Sequence, residues 1–600
     1  MLAHDRSLLF VAGVPVHPAR PRRTPTGMNS RPRALVVGLS GLSWFAGCAD
    51  PSPTPVDASS AEVATDAGAE AAVTPKVRDL ADMPVPESVV AEPGVRRERF
   101  FVDAPSPPPN PASMTATPAL FNRVPVLRYR ADVMPAVAVR AVVVAMPGFL
   151  GGAGSFDPLA RTLVKRATTA GAPVEVWVID RRANLLEDLR GMNAADRLRD
   201  PEVAAGYYND QSVTIGGATF AGYRTTNDPT LAYMSEWGLA TTLNDLRAVI
   251  ARVPQSRNHV VLLGHSLGAT IVESYAAWDF DGVGGYRSLA GLAVIDGVAG
   301  GASASESSWR AGSMGGPFGP TAGVDSLRRA GPYFTALPIL GVGALATSEI
   351  VARRAALTPA AVVADPSRDR VLRLLFSLTV VPPLTNGAAL GLAFDNASCP
   401  LAFARMSIGQ PTDGPLRMVS NPFAPGEQLT VPSGRTETYA WTDAPMSTPP
   451  EFTPLANAAA AWATTPTNFG EWYFPTRLSL DASAVGDLRL AADSWQVREG
   501  IRAMHGAEID VPVLAIAAGL VGRAEAFEGL RARLAPAVGT DLPAGGSDRR
   551  GEQGFHSLFV PGMTHLDPLT GADDGTRNPV PGLLSTFVAD NTRGTVTLAP

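Results

Sequence analysis

Val260-Val261-Leu262-Leu263-Gly264-His265-Ser266-Leu267-Gly268 runs directly into Ala269-Thr270-Ile271-Val272-Glu273-Ser274-Tyr275-Ala276-Ala277-Trp278. The apolar run from Val260 to Leu263 is unbroken, β-branched at its start and short, which predicts a buried strand. The stretch from Ala269 to Trp278 reads as a helix. Between them lies a serine flanked by glycines, and residues without Cβ let the backbone turn sharply where strand meets helix. Such a turn lifts the serine hydroxyl above the sheet edge, as a nucleophile elbow does. In a chain with 58 glycines the pattern G-x-S-x-G could be a structural Gly-rich turn. Strand, turn and helix in that order are what make Ser266 a candidate nucleophile.

Outward from the elbow, apolar runs alternate with helical patterns. Val124 to Tyr129, Val139 to Met146, Val174 to Asp180, Leu289 to Asp296 and Val511 to Ala517 read as strands. Phe156 to Ala170 is an amphipathic helix, and Leu239 to Arg252 carries Leu243, Leu246 and Ile250 at helical spacing. This alternation predicts an α/β fold: a mostly parallel sheet with helices on both faces. In such sheets the reactive groups gather beyond the carboxyl ends of the strands.

Three elements, the loop Met146-Pro147-Gly148-Phe149, the elbow Gly264 to Gly268 and the late His565, resemble the lipase/esterase kind of α/β-hydrolase. The resemblance spans roughly Phe101 to the C-terminus and is interrupted by a long insertion. It implies two backbone donors for an oxyanion, the amide of Leu267 after the nucleophile and the amide of Phe149 in the first loop. A phosphate or dinucleotide loop is the other reading of Gly148 to Gly154, but its spacing is not G-x-G-x-x-G. The family's chain order is Ser, then Asp or Glu, then His, which makes His565 the expected general base. His565 lies in Pro561-Gly562-Met563-Thr564-His565-Leu566-Asp567, similar to the family's G-x-x-H-x-D stretch. His4 and His17 precede the fold, His265 belongs to the elbow, His259 begins the elbow strand and His505 comes before the last strand. His556 is the one rival, in a polar setting that suits a surface role.

The acid departs from the commonest family pattern. The strand ending at Ala517 runs into Gly519-Leu520-Val521-Gly522-Arg523 with no carboxylate at its end. Glu525 and Glu528 come slightly later, where a solvated helix charge is the simpler reading. Asp296 ends the strand that follows the elbow helix, a position some lipases use, and a carboxylate buried there is costly unless it is paired. Asp296 is therefore the expected acid. Glu525, Asp541 and Asp548 remain open, as does a capping role for Asp296. Asp180-Arg181-Arg182 at another strand end reads as a strand-capping ion pair.

Residues 298–506 form an insertion large enough to be a cap, with helical stretches expected at Thr358 to Ala364 and Arg368 to Leu378. It carries Phe452, Phe469, Trp472, Tyr473, Phe474 and Trp495. A smaller insertion, Gly191 to Trp237, holds Tyr207, Tyr208, Phe220, Tyr223 and Tyr233. Aromatic residues are most often core, but collectively a cap over the elbow implies an enclosed, mostly apolar site. The hydrolase core is then 93–297 with 507–600.

The N-terminal part reads as targeting sequence. The basic Met28-Asn29-Ser30-Arg31-Pro32-Arg33 precedes an apolar run from Ala34 to Gly47, as in a secretory signal peptide. Phe45-Ala46-Gly47-Cys48 resembles the bacterial lipobox, in which Cys48 would be lipidated, although the family prefers Leu where Phe45 stands. A plain cleaved signal is the alternative. Residues 1–27 read as an upstream extension, and 49–92, rich in Ala, Pro, Ser, Thr and Asp, as a disordered tether.

With 46% hydrophobic and 18% charged residues the chain can bury a sizeable core, and a net charge of -6 argues against nucleic acid as a partner. No apolar run reaches the roughly 18 residues of a membrane span. Two cysteines allow no disulfide framework and no Cys-based metal site. The resemblance implies a cell-envelope serine hydrolase that cleaves lipophilic carboxylic esters through an acyl-enzyme and requires no cofactor or metal. Acyl transfer to another alcohol is open to the same site. From a different class, the chain could be a lipoprotein that binds a lipophilic ligand under its cap without catalysis. The expected partners are a small-molecule ester and, through Cys48, a membrane; secretion is the alternative to anchoring.

Overall fold

The computed structural model describes residues 87–598 apart from 134–136, 210–211, 225, 227, 301–302, 317–318, 336–340, 364–368, 370–371, 374–380, 444–450 and 536–553. The signal-like segment, Cys48, Asp541 and Asp548 therefore lie outside the described residues, as do 49–86 of the expected tether.

Nine strands form the central sheet: β1 (Ser88–Glu92), β2 (Val95–Asp103), β3 (Arg123–Ala131), β4 (Ala141–Met146), β5 (Val174–Ile179), β6 (Val260–His265), β7 (Gly291–Ile295), β8 (Val513–Ala517) and β9 (Phe555–Phe559). Their spatial order is β1-β2-β3-β5-β4-β6-β7-β8-β9. The pairs β1/β2, β2/β3 and β3/β5 are antiparallel, and every pair from β5/β4 to β8/β9 is parallel. The strands read from apolar runs are all present. β1, β2 and β9 were not expected, and β1 moves the start of the fold into the last residues assigned to the tether.

Buried on both faces, β4, β6 and β7 send alternate side chains into two cores. Val142, Val144, Leu262 and Val294 join one cluster, and Val143, Ala145, Leu263 and Ile295 the other. Helices α1 (Asp157–Thr169) and α5 (Val580–Asn591) cover the second face through Leu163, Leu584 and Phe587. Helices α2 (Leu239–Ile250) and α3 (Leu267–Ala277) cover the first through Leu243, Leu246 and Ile271. This is an α/β-hydrolase fold with an insertion between β7 and β8.

Within the insertion, one expected helix is placed differently. Its helix α4 (Gly341–Leu357) stops where a helix from Thr358 was expected, because Pro359 disfavours helical backbone in the residue before it. Most of the stretch expected at Arg368 to Leu378 lies outside the described residues. Phe452 crosses to the second face and packs in the cluster with Leu569 and Val580. Phe469, Trp472, Tyr473 and Phe474 are buried in the first core. Residues 298–506 and the sheet thus share their cores and belong to one unit. Among the described residues no helix is long and apolar enough to cross a membrane.

Candidate active site

Parallel register brings the candidate residues to one edge. Ile295 pairs with His265, so Ser266 and Asp296 leave β6 and β7 side by side, and the Ser266 amide donates to Ile295 O at 2.9 Å. Ser266 has φ 58° and ψ -126°, a left-handed backbone that a non-glycine residue adopts only where its surroundings impose it. Those surroundings are tight: a Cβ on Gly264 would collide with Gly268 O, and one on Gly268 with Met146 O. Only glycine fits on either side of this serine, which is why the motif has the form it has. Ser266 and Leu267 are half-buried. Among the described residues the Ser266 hydroxyl makes no hydrogen bond, and such contacts often tighten only once substrate is bound.

Asp296, with φ 45°, is fully buried and accepts four hydrogen bonds. Oδ1 accepts from the amides of Ala518 (2.7 Å) and Val521 (2.9 Å). Oδ2 accepts from the Leu520 amide (2.9 Å) and lies 2.7 Å from His565 Nδ1. The loop after β8, which carries no carboxylate, supplies backbone donors to the carboxylate at the end of β7 instead. Burial alone would raise the Asp296 carboxyl, but the hydrogen bond and charge of His565, with the Val521 and Leu520 amides, hold it below the ordinary range. An ionised Asp296 requires a proton on Nδ1 of His565 and leaves Nε2 of a neutral ring as acceptor.

His565 is fixed from two further sides. His265 Nε2 lies 2.8 Å from the His565 carbonyl, with the two rings 4.5 Å apart. Burial and the neighbouring His565 push His265 down to about 3, so it is neutral near pH 7 and donates to that carbonyl. Asp567, fully buried, accepts from the Thr564 amide (2.7 Å) and from Ser407 N (2.8 Å), Ser407 Oγ (2.6 Å) and Thr453 Oγ1 (2.7 Å) of the insertion. The positioning parts of His265 and Asp567 had been missed, although both stand inside quoted motifs.

The remaining residues fall elsewhere. Glu525 is exposed on a short 3-10 helix, and Glu528 faces Arg531 at 3.9 Å. His259 Nδ1 contacts Arg140 O at 2.9 Å, His505 lies against Glu508 and Asp279, and His556 sits half-buried on β9. Asp180 and Arg181 do not form the expected capping pair. Asp180 accepts from the Ala153 amide (2.6 Å) and the Thr467 hydroxyl, while Arg181 pairs with Glu471 and Arg182 with Asp245. Phe149, half-buried, packs edge-on against Phe474 (4.9 Å) and Phe403 (6.3 Å) of the insertion. A cavity of about 430 Å³ is lined by residues that include Arg99, Arg123, Asp188 and Arg190.

The strained serine, the buried Asp–His pair and the adjoining loop stand at the carboxyl edge of an α/β-hydrolase fold, where that fold keeps its reactive groups. No family model and no curated protein matches the sequence. Among solved structures it is similar to a candidate lipase from Sulfolobus solfataricus, at 12% identity over 82% of this chain and 93% of that one, with a TM-score of 0.39. A peroxisomal alpha-beta-hydrolase from Saccharomyces cerevisiae matches at 10% identity over 85% and 93%, with a TM-score of 0.36. A thermophilic esterase from Thermogutta terrifontis matches at 10% over 82% and 99%, with a TM-score of 0.30.

Proposed function

We propose that this chain is a serine hydrolase of carboxylic esters. The observation that supports it most is the 2.7 Å contact between buried His565 and Asp296, beside a serine at a strained elbow. In this reading Ser266 attacks the ester carbonyl while His565 Nε2 takes its proton. The amides of Leu267 and Phe149 receive the developing oxyanion. Collapse of the tetrahedral adduct releases the alcohol, which receives the proton from His565, and leaves an acyl-Ser266 ester. Water then repeats the sequence and frees the acid. Asp296 keeps the imidazole in the useful tautomer and stabilises its charge. The apolar half-buried rim of Phe149, Leu267 and Phe403 favours an ester with a lipophilic part. Export through residues 28–48, with Cys48 as a lipid attachment point, belongs to the same proposal and rests on sequence alone.

Ser266→Ala tests the mechanism. Labelling by a fluorophosphonate probe should disappear and ester turnover fall by on the order of 10³-fold or more, with unchanged thermal stability. A folded variant that keeps near wild-type turnover would refute it.

A further inference from the structure

We infer that Arg181 is a positioning residue for the oxyanion hole and that Glu471, a residue of the insertion, holds it there. The inference rests on the hydrolase reading above and adds to it the group that sets the shape of the loop beside Ser266.

The loop after β4 is built around one guanidinium. Arg181 is 4% exposed; its Nη2 donates to Pro147 O and to Gly148 O (3.0 Å), and its Nη1 to Gly151 O (3.1 Å) and Glu471 Oε2 (2.5 Å). Three carbonyls from one short loop therefore converge on a planar fork whose donors have fixed relative directions. In a trans peptide the carbonyl and the following N–H point opposite ways, so drawing Gly148 O to Arg181 turns the Phe149 N–H to the other side. Gly148 itself runs past the nucleophile: a Cβ there would lie 2.7 Å from Ser266 Cβ and 3.2 Å from its Oγ. The Gly148–Phe149 peptide thus passes beside Ser266 with its carbonyl anchored on Arg181.

The loop also needs an external hold. Leu150 has φ 55°, a strained value for a non-glycine residue. Arg181 supplies part of the hold, and the insertion supplies the rest: Glu471 N donates to Leu150 O (2.9 Å), Gly152 N to Phe469 O (2.6 Å) and Gly154 N to Asn468 O (2.9 Å). The Arg181 guanidinium lies 5.2 Å from the ring centre of Phe474, which packs on Phe149. Glu471 is fully buried, and among the described residues its Oε1 has no partner. A buried ion pair of this kind is a poor source of stability, since apolar residues of equal volume often do as well. Its place against the carbonyls next to the nucleophile is explained by the geometry it imposes.

The test uses the full chain and the variants Arg181→Ala, Arg181→Lys and Glu471→Gln. Turnover of a short p-nitrophenyl ester is measured beside the affinities of two ketones of equal size. A trifluoromethyl ketone adds the serine and forms an oxyanion, whereas its methyl counterpart does not. A misplaced donor costs about 10²-fold. Arg181→Ala should therefore lower kcat by about 10²-fold, leave KM within about threefold and weaken the trifluoromethyl ketone in parallel, with the methyl ketone unchanged. Arg181→Lys should recover only part of the loss, and Glu471→Gln should show the same signature at about tenfold. A folded Arg181→Ala with wild-type kcat overturns the inference, as does equal weakening of both ketones, which would mean general disorder. If Arg181→Ala does not fold, Arg181→Lys and Glu471→Gln decide by the same readouts. Wild-type protein with neither ester turnover nor fluorophosphonate labelling would instead bring down the hydrolase reading, and this inference with it.

Discussion

Replacing Asp296 by asparagine keeps the size of the side chain and makes one of its two acceptor atoms a donor. The cost follows from which atom changes. A nitrogen at the Oδ1 position would face the Ala518 and Val521 amides and leave two buried N–H groups unpaired. At the Oδ2 position it would face the Leu520 amide and His565 Nδ1. An unpaired buried donor costs about 1–3 kcal/mol, so the second orientation, which orphans one amide instead of two, is the cheaper. It also drives the imidazole proton to Nε2, where it cannot accept from Ser266. Asp296→Asn should therefore lose about 1–3 kcal/mol of stability and still fold, while turnover falls by at least about 10²-fold and up to about 10⁴-fold. Denaturant unfolding gives the first quantity and steady-state ester hydrolysis the second, with fluorophosphonate labelling slowed but still present. A folded Asp296→Asn whose kcat stays within about threefold of wild type would refute the assignment of the acid.

Glu525→Gln, at an exposed position, should change turnover by less than a few-fold; a dead, folded variant would move the acid to Glu525, on the short 3-10 helix beyond β8. If Cys48 is lipidated, wild-type protein made with its signal should sediment with membranes and Cys48→Ala should not, and equal solubility of the two would mean secretion without an anchor. His265 has a native value of about 3 against about 6.5 in the unfolded chain. Below pH 6.5 the unfolded chain takes up the proton first, so this part of the stability is lost as pH falls toward 3. Thermal midpoints should drop across that window, and His265→Gln should flatten the drop; an identical pH profile in the variant would refute the account.

What could be read in advance was what a short stretch of chain encodes. The run Val260 to Leu263 is apolar whichever face it presents, and Asp296 at the end of an equally apolar run needed a partner, so its pairing could be expected without knowing which amides would surround it. β2 was illegible for the opposite reason. Its Arg96, Arg97 and Glu98 break the apolar pattern and are satisfied across strands and helices, by Asp132, Asp157 and Arg130. The place of the insertion's aromatic residues could not be read in advance, because such residues read the same over a pocket as within a core. Arg181 looked like the partner of Asp180, its sequence neighbour, whereas its actual partner, Glu471, is 290 positions away.

The separations along the chain also bear on when activity can arise. Asp296 meets a histidine 269 positions later, and Gly151 bridges to Gly470 in the insertion. Contacts of such long range close late in folding, because the intervening chain must first be ordered. A nascent chain that has not yet reached β9 has its elbow but neither His565 nor the Asp567 staple. On the hydrolase reading, nascent chains stalled before Phe555 should therefore be inert toward esters.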